Sequence, residues 1–323
     1  MTEIDRAPAD DGAETTDAGP RRILLLAHTG RAEARDVSLE VVRALCAHGI
    51  VVRLLAEEAA DLGLNSPDVE LASISEAADD CELAVVIGGD GTILRAAETT
   101  HAHGTPLLGV NLGHVGFLAE AESDDLEHTI EAIVRRDYTI EDRLTIDVSV
   151  YQDKEYVASS WALNEASVEK AARQRMLEVV VEIDGRPLSR WGCDGVVCAT
   201  PTGSTAYNFS AGGPVVWPGV EALLMVPISA HALFARPLVV APTSVLAIEV
   251  QATTESSGVL WCDGRRTVEL PPGARIEVRR GRTPVRLARL HDSPFTDRLV
   301  AKFGLPVEGW RGASERRRRD NGQ

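Results

Sequence analysis

The 323-residue sequence lacks several features that would assign it to a specialised class of protein. Its five cysteines, Cys46, Cys81, Cys193, Cys198 and Cys262, are odd in number and show no CxxC spacing, so neither a disulfide framework nor a structural zinc site is predicted. No apolar run reaches the roughly 18 residues that a membrane span needs, and the N-terminus is acidic where a secretory signal would be basic and then apolar. We therefore expect a cytoplasmic protein without a membrane partner.

Positive charge is also scarce. The net charge of −16 argues against a nucleic-acid partner, because phosphates would be repelled unless a local basic patch intervened. Only three lysines occur, Lys154, Lys170 and Lys302, and no GxxxxGK[ST] sequence is present. A P-loop mechanism is therefore excluded, and any phosphate ligand must be held by backbone amides and a few arginines.

The length suggests about two domains. In the first half, short apolar segments such as "ILLLAH", "LAVVIGG" and "PLLGVNLG" alternate with amphipathic helical segments, which is typical of a parallel sheet covered on both faces. The second half alternates apolar and polar residues between turn signals such as Asp184-Gly185, which indicates antiparallel strands. The segment 291–306 is predicted as a helix capped by Ser293, with Pro294 at its first position. The predicted division is a disordered acidic tail over 1–20, a doubly wound α/β domain over 21–142 completed by 291–310, a β-rich domain over 143–290, and a basic tail over 311–323.

The stretch "VVIGGDGTILR" (85–95) places Asp90 among three glycines directly after an apolar strand. A hairpin turn would require alternation on both sides, whereas the residues from Thr92 onward follow helical spacing, so the loop joins a strand to a helix. Gly88, Gly89 and Gly91 allow backbone N–H groups to converge on a phosphate at the helix N-terminus. An acid in such a loop suits either proton abstraction from an attacking hydroxyl or coordination of Mg²⁺.

A second stretch, "GCDGVVCATPTGSTAYNFSAGGPVVWPG" (192–219), follows the apolar strand 196–199 with a cluster of Thr, Ser and Gly residues. Such a loop can be merely a capped helix start, with Ser204 or Thr205 as the cap. With Tyr207 close behind, it can also form a hydroxyl-lined pocket with an aromatic wall for a nucleotide.

The combination of GGDGT (88–92), the pair Asn164-Glu165, and DG…TPTGSTAY (194–207) resembles the NAD kinase family, in the expected order along the chain. The resemblance extends to "NLGHVGFLAE" (111–120) and "HALFARPLV" (231–239). GGDGT alone is shared with diacylglycerol, sphingosine and phosphofructokinase-like kinases, whereas TPTGSTAY with the Asn-Glu pair is specific.

This resemblance implies transfer of a phosphate from ATP or polyphosphate to the 2′-hydroxyl of the adenosine ribose of NAD, with Mg²⁺ required and Asp90 as the general base. It also implies a homodimer or homotetramer. Two alternatives remain: a lipid kinase that shares the GGDGT loop, and a dinucleotide-binding regulator without catalysis. The residues expected to bind substrate or nucleotide are Gly88, Gly89, Gly91, Thr92, Arg95, Asn164, Glu165, Arg175, Asp194, Thr205, Ala206, Tyr207 and Ser210.

The sequence departs from the family pattern at two places. Gly192 stands where some members have His, so a contact from that side chain is lost. The family's frequent Asp-Gly-Gln is here Asp263-Gly264-Arg265, in which Arg265 could meet a phosphate.

Overall fold

The computed structural model describes residues 19–65, 69–113, 116–119, 121–122, 125–173, 175–252, 257–291 and 294–307. The predicted basic tail lies outside these residues, as does the predicted acidic tail up to residue 18. No helix in the described ranges is long and apolar enough to span a membrane.

The first part of the chain alternates strands and helices as the sequence predicts. Its elements are β1 (Arg22–Ala27), α1 (Ala32–Ala47), β2 (Val51–Leu55), α2 (Ala56–Leu62), β3 (Val69–Ala72), β4 (Leu83–Ile87), α3 (Asp90–Thr100), β5 (Leu107–Asn111), β6 (Ala121–Glu122), α4 (Leu126–Arg135) and β7 (Thr139–Arg143). Strands β3, β2, β1, β4 and β5 lie side by side in that order and are all parallel. This is the strand order of a doubly wound nucleotide-binding sheet.

Both faces of this sheet are covered, which explains why its central strands are apolar without alternation. On one face, Ile23 and Leu25 of β1 belong to a buried cluster that includes residues of α1, α2 and α4. On the other face, Leu24 and Leu26 share a cluster with Ile93 of α3. Every residue of β4 is buried, so the strand that precedes Asp90 is rigidly held.

The remaining elements form the predicted β-rich part and then return to the first sheet. They are β8 (Ile146–Gln152), β9 (Glu155–Ala162), β10 (Glu165–Lys170), β11 (Leu177–Ile183), β12 (Arg186–Cys193), β13 (Gly195–Ala199), α5 (Tyr207–Ser210), β14 (Leu223–Ile228), β15 (Leu238–Val240), β16 (Leu246–Val250), β17 (Gly258–Cys262), β18 (Arg266–Leu270), β19 (Arg275–Arg280), β20 (Val285–Arg289) and α6 (Phe295–Phe303).

Strands β8 to β19 form two antiparallel sheets of six strands each among the residues described. One has the order β15-β14-β13-β10-β17-β18 and the other β12-β11-β16-β19-β8-β9. A single buried cluster contains residues from both sheets, including Val179, Val196 and the fully buried Trp191. The two sheets therefore pack as a sandwich. The predicted turn at Asp184-Gly185 is present, with both residues at positive φ, as a two-residue hairpin requires.

Strand β20 differs from the predicted division of the chain. Its residues fall within the predicted range of the β-rich part, 143–290, whereas the strand pairs in parallel with β5 and antiparallel with β7 in the first sheet. The strand begins with the buried–exposed–buried alternation of a sandwich strand over 285–287 and ends with two buried residues, Ala288 and Arg289, so its pattern alone does not assign it to a sheet. The domain boundaries themselves stay a prediction.

Helix α6 follows β20. The expectation of a helix in 291–306 is met by a shorter element whose N-cap is Pro294 rather than the predicted Ser293, which lies outside the described residues. Phe295 and Phe303 lie 5.8 and 6.0 Å from Phe117, measured between ring centroids, and Phe303 lies 4.7 Å from Phe209. The helix thus joins the loop before β6 to the segment that contains α5.

Candidate active site

A cavity of about 710 Å³ opens at the carboxyl ends of β1, β4 and β5, which is where doubly wound sheets bind ligands. The GGDGT motif lines it from Gly88 to Thr92, and Arg95 lies one turn further along α3. The other lining residues are Ala27, His28, Thr29, Gly30, Arg31, Asn111, Leu112, Gly116, Arg265 and Lys302.

Gly88 and Gly89 of the motif have different structural roles. Gly88 has φ +150°, and a Cβ there would lie 2.5 Å from Oγ1 of Thr92. Gly89 has extended dihedral angles as the N-cap of α3, and its carbonyl accepts the N–H groups of Thr92 and Ile93. The cavity therefore lies at the N-terminus of α3, whose partial positive charge favours an anion.

Asp90, the first residue of α3, is partly buried and its carboxylate is fixed from the neighbouring loop. The N–H of Phe117 donates to Oδ2 at 3.0 Å, and the N–H of Leu118 donates to Oδ1 at 3.1 Å. Gly116 packs directly on this carboxylate, because a Cβ at position 116 would lie 2.5 Å from Oδ1. The carboxylate is therefore held in one orientation at the cavity wall.

The side chain of Arg95, one turn after Asp90 in α3, is held by two acceptors. Its Nη2 donates to the carbonyl of Ala27 at 2.7 Å and to Oε1 of Glu58 at 2.6 Å. Glu58 is buried and its other oxygen accepts the N–H of Ala27 at 3.0 Å. Burial raises the pKa of Glu58 above its ordinary value, while the Arg95 guanidinium lowers it. Arg31, Arg95, Arg265 and Lys302 bring positive charge to the cavity that contains Asp90.

The predicted pair Asn164-Glu165 is buried at the start of β10. Its backbone is fixed by Asp263, whose carboxylate accepts the N–H groups of Leu163 at 2.9 Å, Asn164 at 2.7 Å and Glu165 at 3.3 Å. Arg266 donates to the same carboxylate at 2.9 Å. The Asp-Gly of the β17–β18 turn is therefore more than a turn signal, because its side chain positions the Asn-Glu pair.

The carboxyl group of Glu165 is buried and is close enough to that of Asp263 to be affected by its charge. Burial and the nearby negative charge of Asp263 raise the pKa of Glu165 to about 8, opposed by the N–H of Tyr207, which donates to Oε2 at 3.3 Å. Burial likewise raises the pKa of the Tyr207 phenol. The structure therefore brings together Asn164, Glu165 and Tyr207, as the sequence predicts.

The hydroxyls of the TPTGST segment differ from the expected pocket lining. Thr200 donates to the carbonyl of Leu163 at 2.5 Å, Ser204 to that of Val216 at 3.1 Å, and Thr205 to that of Thr202 at 3.3 Å. These hydroxyls shape the loop by satisfying its own backbone. Position 203 requires glycine, because a Cβ there would lie 2.0 Å from the backbone oxygen of Asn164.

The other predicted binding residues belong to the same antiparallel part of the chain. Asp194 follows β12 and pairs with Lys170 at the end of β10, which lowers the pKa of the Asp194 carboxyl. Arg175 is exposed before β11, and Ser210 is exposed at the end of α5. Ala206 precedes α5 directly.

The two groups of site residues are joined by the β17–β18 turn. Asp263 holds the backbone of Asn164 and Glu165, while Arg265, two residues on, lines the cavity that contains Asp90. Nε of Arg265 also donates to Oε1 of Glu98 in α3 at 3.0 Å. The turn of the sandwich thus contacts the helix of the α/β part beside the GGDGT loop.

Among the described residues that line this cavity, Asp90 offers a carboxylate to a divalent metal ion. Within the described ranges, no three or more His, Cys, Asp or Glu side chains are grouped so that they could hold a metal. Mg²⁺ is commonly bound through one or two carboxylates together with the phosphates of a nucleotide.

Sequence reasoning missed three structural features of the site: the turn 28–31, the Glu58 anchor and the Asp263 clamp. The first follows the carboxyl end of β1, and the strand-to-helix rule that located GGDGT could have found it. Glu58 carries no such signal, and the motif Asp263-Gly264-Arg265 does not reveal which residues Asp263 binds, because the partners of Glu58 and Asp263 are 37 and about 100 residues away.

A glycine-rich loop at the carboxyl edge of a doubly wound sheet, opening a helix beside several cationic side chains, is typical of proteins that bind the phosphates of a nucleotide. Comparison with known proteins gives the family. The model of the ATP-NAD kinase N-terminal domain matches residues 23–138, and that of the ATP-NAD kinase C-terminal domain matches residues 163–290. The chain belongs to the NAD kinase family, and it is an enzyme with NAD kinase activity.

Individual relatives agree. The chain is 63% identical over 302 residues to NAD kinase 2 of Streptomyces avermitilis, covering 92% of this chain and 99% of the relative. An NAD kinase from Archaeoglobus fulgidus in complex with ATP is 25% identical with a TM-score of 0.68, over 88% of this chain and all of that one. Yeast NADH kinase complexed with NADH has the same fold, with a TM-score of 0.81 at 23% identity, over 90% of this chain and 89% of that one. The predicted family, two-part architecture and NAD kinase activity are confirmed, and the lipid kinase and the non-catalytic regulator are not favoured.

Proposed function

We propose that this enzyme transfers the γ-phosphate of ATP, or a phosphate of polyphosphate, to the 2′-hydroxyl of the adenosine ribose of NAD, with Asp90 as the general base. The proton of the hydroxyl passes to the Asp90 carboxylate as the hydroxyl oxygen forms its bond to the γ-phosphorus. The bond from that phosphorus to the β–γ bridging oxygen breaks, and ADP leaves. NADP is the product.

The observation that carries this proposal is the environment of Asp90. Each carboxylate oxygen accepts one backbone N–H, which fixes the direction of the carboxylate and leaves lone pairs to accept a proton. The cavity around it is lined by cationic side chains and by a helix N-terminus, which suit phosphates. A positioned base of this kind contributes roughly 10²- to 10⁴-fold to the rate.

The nucleotide would be held from both sides of the β17–β18 turn. On the α/β side, Gly88, Gly89, Gly91, Thr92 and Arg95 would contact phosphates. On the sandwich side, Asn164 and Glu165 would bind adenine and ribose hydroxyl groups. Asp194, Arg175, Ser210 and the segment of Thr205, Ala206 and Tyr207 would complete the pocket around the dinucleotide.

A divalent cation such as Mg²⁺ would enter with the phosphates of the donor, and Asp90 is the carboxylate nearest to their expected position in the GGDGT loop. When bound, the ion supplies neutralisation of phosphate charge. The chain's own contribution is to position the two substrates and to accept the proton.

We also propose that the enzyme is a homodimer or homotetramer in the cytoplasm. Support comes from apolar side chains in the predicted family motif 231–239, where Leu233 is fully exposed and Phe234 and Val239 are about half exposed. Exposed apolar groups of this kind favour an interface between proteins. Light scattering on the purified protein measures the mass, and a monomer would contradict this part.

The test of the function is a matrix of phosphate donors and acceptors on purified protein with Mg²⁺. ATP and polyphosphate are each offered with NAD, NADH and diacylglycerol, and the product is identified by mass and by position of the new phosphate. We expect the 2′-phosphate of NAD with ATP, polyphosphate or both. Phosphorylation at another hydroxyl, or of diacylglycerol only, would contradict the proposal.

A further inference from the structure

Helix α6 contacts the loop that orients Asp90. The guanidinium of Arg298 donates through Nη1 to the carbonyl of Phe117 at 3.1 Å and to the carbonyl of Ala119 at 2.9 Å. Both carbonyls belong to the loop whose N–H groups hold the Asp90 carboxylate. Arg298 is partly buried and lies about 180 residues from its acceptors along the chain.

One peptide group connects the guanidinium to the carboxylate. The carbonyl of Phe117 and the N–H of Leu118 belong to the same planar unit, and the N–H donates to Oδ1 of Asp90 at 3.1 Å. Because the unit is planar, a shift of its carbonyl also shifts its N–H. The charged donor on the carbonyl also polarises the peptide, which strengthens the N–H as a donor.

Aromatic contacts fix α6 in this place. Phe295 and Phe303 flank Phe117 at 5.8 and 6.0 Å, and Phe295 also lies 5.2 Å from Trp217. Phe303 contacts Phe209 of α5, two residues after Tyr207. The helix therefore rests on both the Asp90 loop and the proposed nucleotide segment, and Arg298 is its charged contact with the loop.

We propose that Arg298 is a positioning residue for catalysis, which acts on the reaction by holding the Phe117–Leu118 peptide and through it the Asp90 carboxylate. This inference rests on the proposed role of Asp90 as the base. Arg298 touches neither substrate in this role, so its loss reduces turnover and leaves substrate binding intact. A displacement of about 1 Å at a reacting group costs on the order of 10² in rate.

The test replaces Arg298 with Met in the full-length enzyme. We expect kcat to fall about 10- to 100-fold, while KM for NAD and for ATP change less than about threefold. The matched control is Arg280→Met. Arg280 makes an exposed ion pair with Glu221, with 2.6 Å between Nη2 and Oε1, and neither residue lines the cavity, so we expect wild-type kcat. Wild-type kcat in Arg298→Met would overturn the proposal.

A second arm separates positioning from a general structural role. In an Asp90→Asn background the base is absent, so Arg298→Met should lower the residual rate by less than twofold. An equal fold-loss in both backgrounds would overturn the proposal, because Arg298 would then act independently of Asp90. A wild-type enzyme that did not phosphorylate NAD would instead contradict the proposed function, and so the two failures are distinguishable.

Arg298→Lys keeps the test decisive if the Met variant does not fold. Both carbonyls accept from the single nitrogen Nη1. A lysine ammonium is a compact donor on a side chain of different length and shape, so we expect it to restore part of this contact, with kcat about threefold to tenfold below wild type and KM unchanged. In the Asp90→Asn background, Arg298→Lys should likewise lower the residual rate by less than twofold. An Arg298→Lys enzyme with raised KM and unchanged kcat would contradict positioning.

Discussion

Gly116 is the residue whose replacement tests most sharply how tightly the Asp90 carboxylate is held. An alanine Cβ at position 116 would lie 2.5 Å from Oδ1 and 3.1 Å from Cγ of Asp90. Ordinary contact begins near 3.4 Å, so either the carboxylate or the loop must move by close to 1 Å. Movement of the carboxylate weakens the hydrogen bonds that it accepts from the N–H groups of Phe117 and Leu118, and their loss costs about 1 to 3 kcal/mol in stability.

A displacement of this size at the base predicts that Gly116→Ala lowers kcat by about 10²-fold. The assay is steady-state NADP formation, with the NAD dissociation constant measured by calorimetry and Tm by scanning calorimetry. Gly219→Ala is the matched control, because a Cβ at that position meets nothing within 4 Å and we expect wild-type kcat there. A Gly116→Ala enzyme with wild-type kcat would refute the reasoning that Asp90 must occupy this position.

The remaining predictions concern the groups around Asp90. Burial raises the folded-state pKa of Glu165 from 4.5 to about 8, so its contribution to stability is lost as pH rises between those values. The free energy of unfolding of Glu165→Gln should therefore increase by up to about 4 kcal/mol relative to wild type between pH 5 and pH 9, measured by urea unfolding at both pH values. A difference between the two proteins that is the same at both pH values would contradict this prediction. Gly203→Ala places a Cβ 2.0 Å from the backbone oxygen of Asn164 and should cost about 3 kcal/mol in the same assay, whereas a loss below about 0.5 kcal/mol would show that the loop yields. Glu58→Gln releases Arg95 from its charged anchor and should raise KM for NAD about threefold to tenfold with little change in kcat; a change in kcat alone would contradict a phosphate-binding role.

Local sequence rules reached the parts of the fold that depend on near neighbours. The helical spacing after Thr92 distinguished a strand-to-helix loop from a hairpin, and the unbroken apolar character of β4 indicated a parallel sheet covered on both faces. The Asp184-Gly185 hairpin followed from the ability of these residues to adopt positive φ.

The features that were not reached depend on pairing between distant segments. Strand β20 begins with the alternation of a sandwich strand over 285–287, but it pairs with β5 and β7 because the chain returns to the first sheet. Asp263 has the sequence signature of a turn, and its role as a clamp becomes apparent only once the backbone of Asn164 lies beside it. A cluster of hydroxyl side chains indicates a ligand pocket in the sequence, but a hydroxyl that donates to a backbone carbonyl, as that of Thr200 does, produces the same sequence pattern.

The central claim is that Asp90 accepts the proton of the attacking hydroxyl, and Asp90→Asn tests it most directly. The amide nitrogen of Asn would face one of the two N–H donors, so we expect a lower Tm together with a folded enzyme. The measurement is kcat for NADP formation beside the dissociation constant for NAD in the same preparation. We expect kcat to fall about 10²- to 10⁴-fold while NAD binds within a few-fold of the wild-type affinity. A variant that keeps most of its turnover would contradict it.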